Sequence, residues 1–345
     1  MDDQTDLKRS LLYRKALGSL LGGLIGDAVG TPTEGKDYAE IEQRFGWVAD
    51  FDTDGTDDTV MKNLLAEALV HTEGYATADD WAQVWLDHWA DIFGEKYGKF
   101  FISVVNSAQK LRCGYLPRMA SLGNLPSSSS AMCISPVGIV NACNPAQAAR
   151  QAYDVASLIH TYDAAFCQDG AAAMAAAVAE AMSPKATAAS VLRAASAAIV
   201  PQSGREMLER IHRACELAAK KGEYKAFRAA VYAEGERFFC RITCDSRETV
   251  PLTLALFQLA EGDVEKSITY SANFGRDTDT IASMAGAIAG ALRSVEGIRS
   301  DWVAKAQQVT RVSQEELASQ LVQAAVSKLR REQEILSLLA GIILA

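Results

Sequence analysis

Two short stretches concentrate the residue types that hold hard cations. Asp277, Asp279 and Thr280 fall within four positions, directly ahead of Ile281, Met284, Ala285, Ile288 and Leu292. That apolar spacing predicts a buried helix beginning at about Thr278. Thr56, Asp57, Asp58 and Thr59 stand in the same way before Val60, Met61, Leu64, Leu65, Ala68 and Leu69. A carboxylate at a helix start gains roughly 0.3–1 kcal/mol from the macrodipole, and Asp is a good cap, so either stretch alone reads as a capped core helix. Together they read differently. If the two helix starts face each other, four carboxylates share one pocket. They then repel by roughly 4 kcal/mol per close pair at an effective dielectric near 20, which is tolerable only with cations or protons between them. Convergent Asp and Thr oxygens are what a hard divalent cation takes from a protein.

The elements that must position these residues are helical. Ala is abundant, runs of Val, Ile and Thr are sparse, and helical stripes recur in almost every window, so the expected fold is all-α. Gly18, Gly22, Gly26 and Gly30 fall every fourth residue and strip one helix ridge of side chains, so that another helix can approach it closely. Gly30 and Pro32 then stop that helix and open a loop carrying Glu34, where an acid or base could move toward a ligand. Asp27, in an apolar context, needs a hydrogen-bonding partner. Thr77 and Asp80 open a helix through Phe93 whose Trp81, Trp85 and Trp89 read as core or cleft wall.

Between Gly114 and Ser135 the helical pattern lapses, which makes Ser127 to Ser130 a candidate substrate loop. Asn144 and Pro145 open a helix ending near His160, and Thr161 to Asp163 start an Ala-rich helix through Met182. His160 itself reads equally as structural or as a donor to a phosphate at that following helix start. Further helices are expected at Thr187 to Ile199, Arg205 to Lys221 and Pro251 to Ala260. Ser313 and Glu316 cap an amphipathic helix through Leu329, and the apolar tail from Ile335 is expected to pack on the body or on a second copy in a homo-oligomer.

Composition excludes several classes. A chain of 345 residues, 49% apolar, buries a large core, and a net charge of −9 without a basic stripe argues against nucleic acid as a partner. The apolar runs at Ala16 to Gly26 and Ile335 to Ala345 fall short of the roughly 20 residues that span a bilayer, so no membrane association is expected. Asp50, Asp52, Asp54 and Gly55 imitate an EF-hand, but Met61 stands where its bidentate Glu belongs. No phosphate-binding glycine signature occurs. Seven cysteines form no disulfide framework, which favours the cytoplasm. His212, Cys215, Cys240 and Cys244 match no familiar zinc spacing.

With the clusters placed, the sequence resembles the ADP-ribosylglycohydrolase family from about Ala16 to Leu292. The likeness is carried, in order, by GDAVGTPTE ending at Glu34, TDDT at 56–59, SPVG at 135–138, SLIHTYDAA at 157–165 and GRDTDTIASMAGAIAGA at 275–291. It implies an orthogonal multi-helix bundle in which 1–345 is one domain, with 313–345 a C-terminal helix and apolar tail. It implies two Mg²⁺ or Mn²⁺ ions held by Thr56, Asp57, Asp58, Asp277, Asp279 and Thr280, with Asp279 bridging them. Glu34, Asp58 and Asp279 are then the catalytic carboxylates, and Ser129, Ser130, Met132, His160 and Arg276 face the substrate. The implied reaction is hydrolysis of the glycosidic bond between ADP-ribose and a protein side chain or small acceptor, through an oxocarbenium-like transition state. Arg276 stands where many relatives have Gly, Cys133 where one often has Arg, and Ser127 to Ser130 replace a Gly-Asn-Gly type of turn. These departures lie on the ligand side, so a smaller riboside or nucleoside-like substrate and a non-catalytic ligand-binding relative stay open as alternatives.

Overall fold

The computed structural model describes residues 7–94 and 97–344, and every regular element among them is a helix. The N-terminal third runs α1 (Leu11–Gly30), α2 (Tyr38–Phe45), α3 (Asp57–His71), α4 (Ala78–Asp87), α5 (Trp89–Phe93), α6 (Ile102–Arg112) and α7 (Pro117–Ala120). The middle adds α8 (Ser135–Val140), α9 (Pro145–Ala156), α10 (Ala165–Ala181), α11 (Ala188–Ala197), α12 (Pro201–Lys221), α13 (Tyr224–Ala233) and α14 (Gly235–Phe238). The rest is α15 (Ser246–Leu259), α16 (Val264–Ala272), α17 (Thr278–Arg293), α18 (Ser300–Val309) and α19 (Gln314–Leu344).

The glycine ridge of α1 decides the centre. A β-carbon at Gly22 would lie 2.1 Å from the Gly286 carbonyl oxygen, one at Gly26 2.1 Å from that of Ala282, and one at Gly290 2.0 Å from that of Gly18. The backbones of α1 and α17 therefore touch, antiparallel, with the C-terminal end of α1 beside the start of α17. Both helices are buried on every side, α1 from Lys15 to Gly30 and α17 from Thr278 to Ala291, covered by α10, α15, α16 and α19. Lys15 snorkels inside this core, its Nζ donating to the carbonyls of Ala181, Ala291 and Leu292 and so satisfying the ends of α10 and α17. Trp81 and Trp85 are fully buried, with ring centroids 5.2 Å apart.

Several boundaries differ from the sequence expectation, each for a tertiary reason. α15 begins at Ser246 rather than Pro251, because the missing Pro251 N–H leaves the Arg247 carbonyl to be satisfied by Arg210 Nη1 at 3.1 Å. The helix expected from Thr77 to Phe93 breaks at His88, and the Ala-rich helix starts at Ala165 after a 3₁₀ turn over Tyr162–Ala164. The tail does not fold back onto the body. α19 runs on past Lys328, the last fully anchored side chain, and leaves Ile335, Leu336, Leu338, Leu339, Ile342 and Ile343 exposed. Ala345 lies outside the described residues. Among those described, no helix is long and apolar enough to cross a membrane.

Candidate metal centre

The two acidic helix starts meet at the C-terminal end of α1. Asp27, fully buried, accepts from the backbone N–H of Thr56 (2.9 Å) and Thr59 (3.0 Å) and from their hydroxyls (2.9 and 2.6 Å). It thereby caps the start of α3 from another element. Gly55, at φ +87°, permits the approach, because a β-carbon there would sit 2.2 Å from Asp27 Oδ2. The start of α17 is tied to the same end of α1: Thr278 Oγ1 donates to the Gly30 carbonyl at 3.1 Å, and Gly30 passes so close that a β-carbon would reach within 2.4 Å of Asp279 Cα.

Across the gap, Thr280 Oγ1 lies 3.4 Å from Asp58 Oδ2, Thr56 Oγ1 lies 3.5 Å from Asp279 Oδ2, and Ser128 Oγ donates to Asp277 Oδ2 at 3.3 Å. Glu34, exposed at the mouth, joins the group: carboxylate oxygens of Glu34, Asp277 and Asp279 lie within 4.8 Å of one another. His212, Cys215, Cys240 and Cys244 form no comparable group among the described residues.

This crowding has an electrostatic signature. Burial, followed by the charges of Asp27 and its neighbours, pushes Asp57 up to about 8, and burial followed by Glu34 pushes Asp277 up to about 7. Asp58 and Asp279 are raised well above the carboxylate range by burial, then by Asp27 and Asp277 respectively. Glu34 is raised by partial desolvation and by Asp27. Behind Asp58, the buried Lys62 is pulled down to about 7 by burial despite the attraction of Asp27 and Asp58. Asp58 Oδ1 and Asp279 Oδ1 are buried with no hydrogen-bond partner at all. An all-oxygen, negatively charged set with two orphaned carboxylate oxygens fits a hard divalent cation.

The cavity in front of these residues has a volume of about 240 Å³ and is walled by Glu34, Asp57, Asp58, Asp277, Asp279 and Thr280 on one side. Ser129 and Met132 lie on its other wall. Thr56 is outside the cavity lining, its hydroxyl donating to Asp27 Oδ1 at 2.9 Å and lying 3.5 Å from Asp279 Oδ2. Ser130, His160 and Arg276 do not reach the wall, and here the expected contacts need correction. His160 is fully buried behind the serine loop, its Nε2 3.0 Å from Ser127 Oγ and its Nδ1 3.0 Å from Ser130 Oγ. Burial pushes it down to about 3, so a neutral ring holds the loop from behind the cavity wall. Arg276 turns away to pair with Glu248, Nε to Oε1 at 2.7 Å.

Ser128, within the expected substrate loop, also lies on the wall, whereas sequence reasoning missed Cys244 and the segment Gly98 to Phe101 there. Among the described residues Lys99 is its one basic side chain, and nothing in its local sequence marks it. Asp27 was signalled, since a carboxylate inside GDAVG must be bonded to something.

Comparison with known proteins gives the centre its context. The uncharacterized protein YegU of Escherichia coli (strain K12) is 26% identical over 310 residues, covering 82% of this chain and 89% of its own. The ADP-ribosylhydrolase ARH3 of Bos taurus is 24% identical over 324 residues, covering 83% of this chain and 86% of its own. A solved ADP-ribosylglycohydrolase-related protein complex superposes with a TM-score of 0.66 at 19% identity, over 91% of this chain and 99% of that one, and shares the fold. A sequence model of the ADP-ribosylglycohydrolase family matches residues 8–330, and the chain belongs to that family of hydrolases.

Proposed function

We propose that this glycohydrolase cleaves the glycosidic bond between ADP-ribose and a protein side chain or small acceptor, with Mg²⁺ or Mn²⁺ bound between the facing helix starts. The observation that carries the reading is the pair of buried, partnerless oxygens on Asp58 and Asp279, in a site whose carboxylates are all raised. The family's ARH3 members, named as ADP-ribosylhydrolases, support the substrate class.

Thr56, Asp57, Asp58, Asp277, Asp279 and Thr280 are the side chains that would hold two ions. When bound, such ions polarise ribose oxygens and lower the pKa of a bound water. The chain's own residues do the rest. Glu34, raised by desolvation and by the charge of Asp27, stands at the mouth of the cavity, where it would give a proton to the leaving group or take one from water. The carboxylates around the cavity favour the positive charge that develops on the sugar in an oxocarbenium-like transition state. Phe100, Phe101 and Met132 give the wall an apolar face that excludes water, and Lys99 offers a cation to a phosphate.

A second reading, a smaller riboside or nucleoside-like substrate, is favoured by the size of the cavity. About 240 Å³ is below the roughly 300–1,000 Å³ usual for ligand pockets and suits a ribosyl group better than a whole dinucleotide. A hydrolysis screen separates the two. ADP-ribosylated Arg and Ser peptides, acetylated ADP-ribose and simple ribosides are incubated with Mg²⁺, Mn²⁺ or EDTA, and product is followed chromatographically. Release of ADP-ribose that EDTA abolishes and Glu34→Gln slows by about 100-fold or more is expected. Turnover of ribosides alone selects the second reading, and no metal-dependent turnover of any of them refutes both.

A further inference from the structure

The loop carrying Glu34 is joined to the turn carrying Asp277 by a reciprocal pair of backbone hydrogen bonds. Gly35 N–H donates to the Arg276 carbonyl at 2.8 Å, and Arg276 N–H donates to the Lys36 carbonyl at 2.7 Å. Glu34 precedes one end of this ladder and Asp277 follows the other, so Arg276 is the joint between two members of the acidic group.

Its conformation is unusual. Arg276 has φ +73°, a region that disfavours any residue with a β-carbon by about 1 kcal/mol or more, and a glycine would adopt it freely. What the arginine adds is a side chain fastened at both edges of its guanidinium. Nε meets Glu248 Oε1 at 2.7 Å, while Nη2 meets Glu248 Oε2 at 2.9 Å and the Cys240 carbonyl at 2.8 Å. The plane lies over the Phe239 ring, 4.7 Å from its centroid. Glu248 has no exposed side-chain surface, sits on the buried α15, and is itself fixed by the Cys240 N–H at 2.6 Å. A bidentate, buried pair of this kind fixes geometry more than a single-point contact does.

We propose that Arg276 and Glu248 form a clamp that pins the Glu34 loop to the start of α17 and so fixes Glu34 beside Asp277 and Asp279. Arg276 is then a positioning residue, and its cationic head serves the protein rather than a substrate anion. The proposal deepens the metal-dependent reading and rests on it for its effect on ion binding, while the effect on the loop stands by itself.

Arg276→Gly and Glu248→Gln test it in the full chain by two measurements. Hydrogen exchange followed by mass spectrometry reads residues 33–38 against α15 and α17, and calorimetric titration reads Mn²⁺ affinity. Both variants are expected to exchange at least tenfold faster at 33–38 while α15 and α17 keep their protection, and to bind Mn²⁺ about tenfold more weakly. Arg276→Gly removes the strained φ and is expected to stay folded even if Glu248→Gln does not. Unchanged exchange at 33–38, or loosening that spreads equally through α15 and α17, overturns the clamp. Faster loop exchange with unaltered Mn²⁺ affinity overturns its role in placing Glu34. If the wild-type chain binds no Mn²⁺, the metal reading fails, and the exchange measurement alone still decides whether the clamp exists.

Discussion

Replacing Gly22 by alanine asks whether direct backbone contact between α1 and α17 holds the acidic helix starts together. The added β-carbon would lie 2.1 Å from the Gly286 carbonyl oxygen and 2.8 Å from its carbon, where non-bonded atoms settle at about 3.5–4 Å. Neither obstacle is a side chain that can swing aside. The helices must therefore part by on the order of 1 Å, at an overpacking cost of about 1–3 kcal/mol. Alanine's helix preference over glycine returns up to about 1 kcal/mol, so a net loss of about 1–2 kcal/mol is expected. Gly23, one position on, is the control: its β-carbon would meet Ala287 Cβ at an ordinary 3.5 Å. Gly23→Ala is expected to be neutral or to stabilise by up to about 1 kcal/mol. Urea denaturation followed by circular dichroism measures both. Because Gly30 and Asp279 lie at the far end of the same contact, Gly22→Ala is also expected to weaken Mn²⁺ binding, and Gly23→Ala is not. Equal changes of one sign in the two variants would refute the close-contact argument.

Asp27→Asn turns one acceptor into a donor facing Thr56 and Thr59, whose four donors need acceptors. At about 1.5–3 kcal/mol per charge-assisted bond, a loss of about 2–4 kcal/mol in denaturation experiments is expected, and a change under 0.5 kcal/mol, roughly the size of a neutral surface substitution, would mean the cap is not carried by Asp27. In pH dependence, Asp57 at about 8 and Asp277 at about 7 bind protons more tightly in the folded than in the unfolded chain. Without divalent ions, the stability these two carboxylates contribute is therefore fullest below pH about 4 and is lost as pH rises through about 7–8, and Mg²⁺ or Mn²⁺ should raise Tm most at the top of that window. Scanning calorimetry with and without the ions checks this, and a metal-free Tm that climbs from pH 5 to pH 8 would contradict it.

The acidic helix starts were legible because caps and apolar periodicity are local: Thr56 to Thr59 and Asp277 to Thr280 announce helix starts from a few neighbouring residues. That some helix approaches α1 closely was legible from glycine spacing, since a ridge without side chains has value only against another backbone; that the partner is α17 was not. Side-chain direction was not legible. Arg276 looked like a cation beside the metals until its partner Glu248 was seen, and nothing in the local sequence of α15 says that its glutamate faces back toward residue 276. His160, open in the sequence between a structural and a ligand-facing role, depends on the same information, its two nitrogens being occupied by Ser127 and Ser130 from a distant loop.

The two cases share a cause that bears on the chemistry. A charged or hydrogen-bonding side chain near a site is committed either to the ligand or to the scaffold, and burial decides which, because a buried group must find its partners within the protein. Arg276, His160 and Asp27 have theirs. Asp58 Oδ1 and Asp279 Oδ1 have none; other buried atoms, Asp169 Oδ2 among them, also lack a partner, but these two belong to carboxylates that line one cavity, where a bound cation would supply what the protein does not.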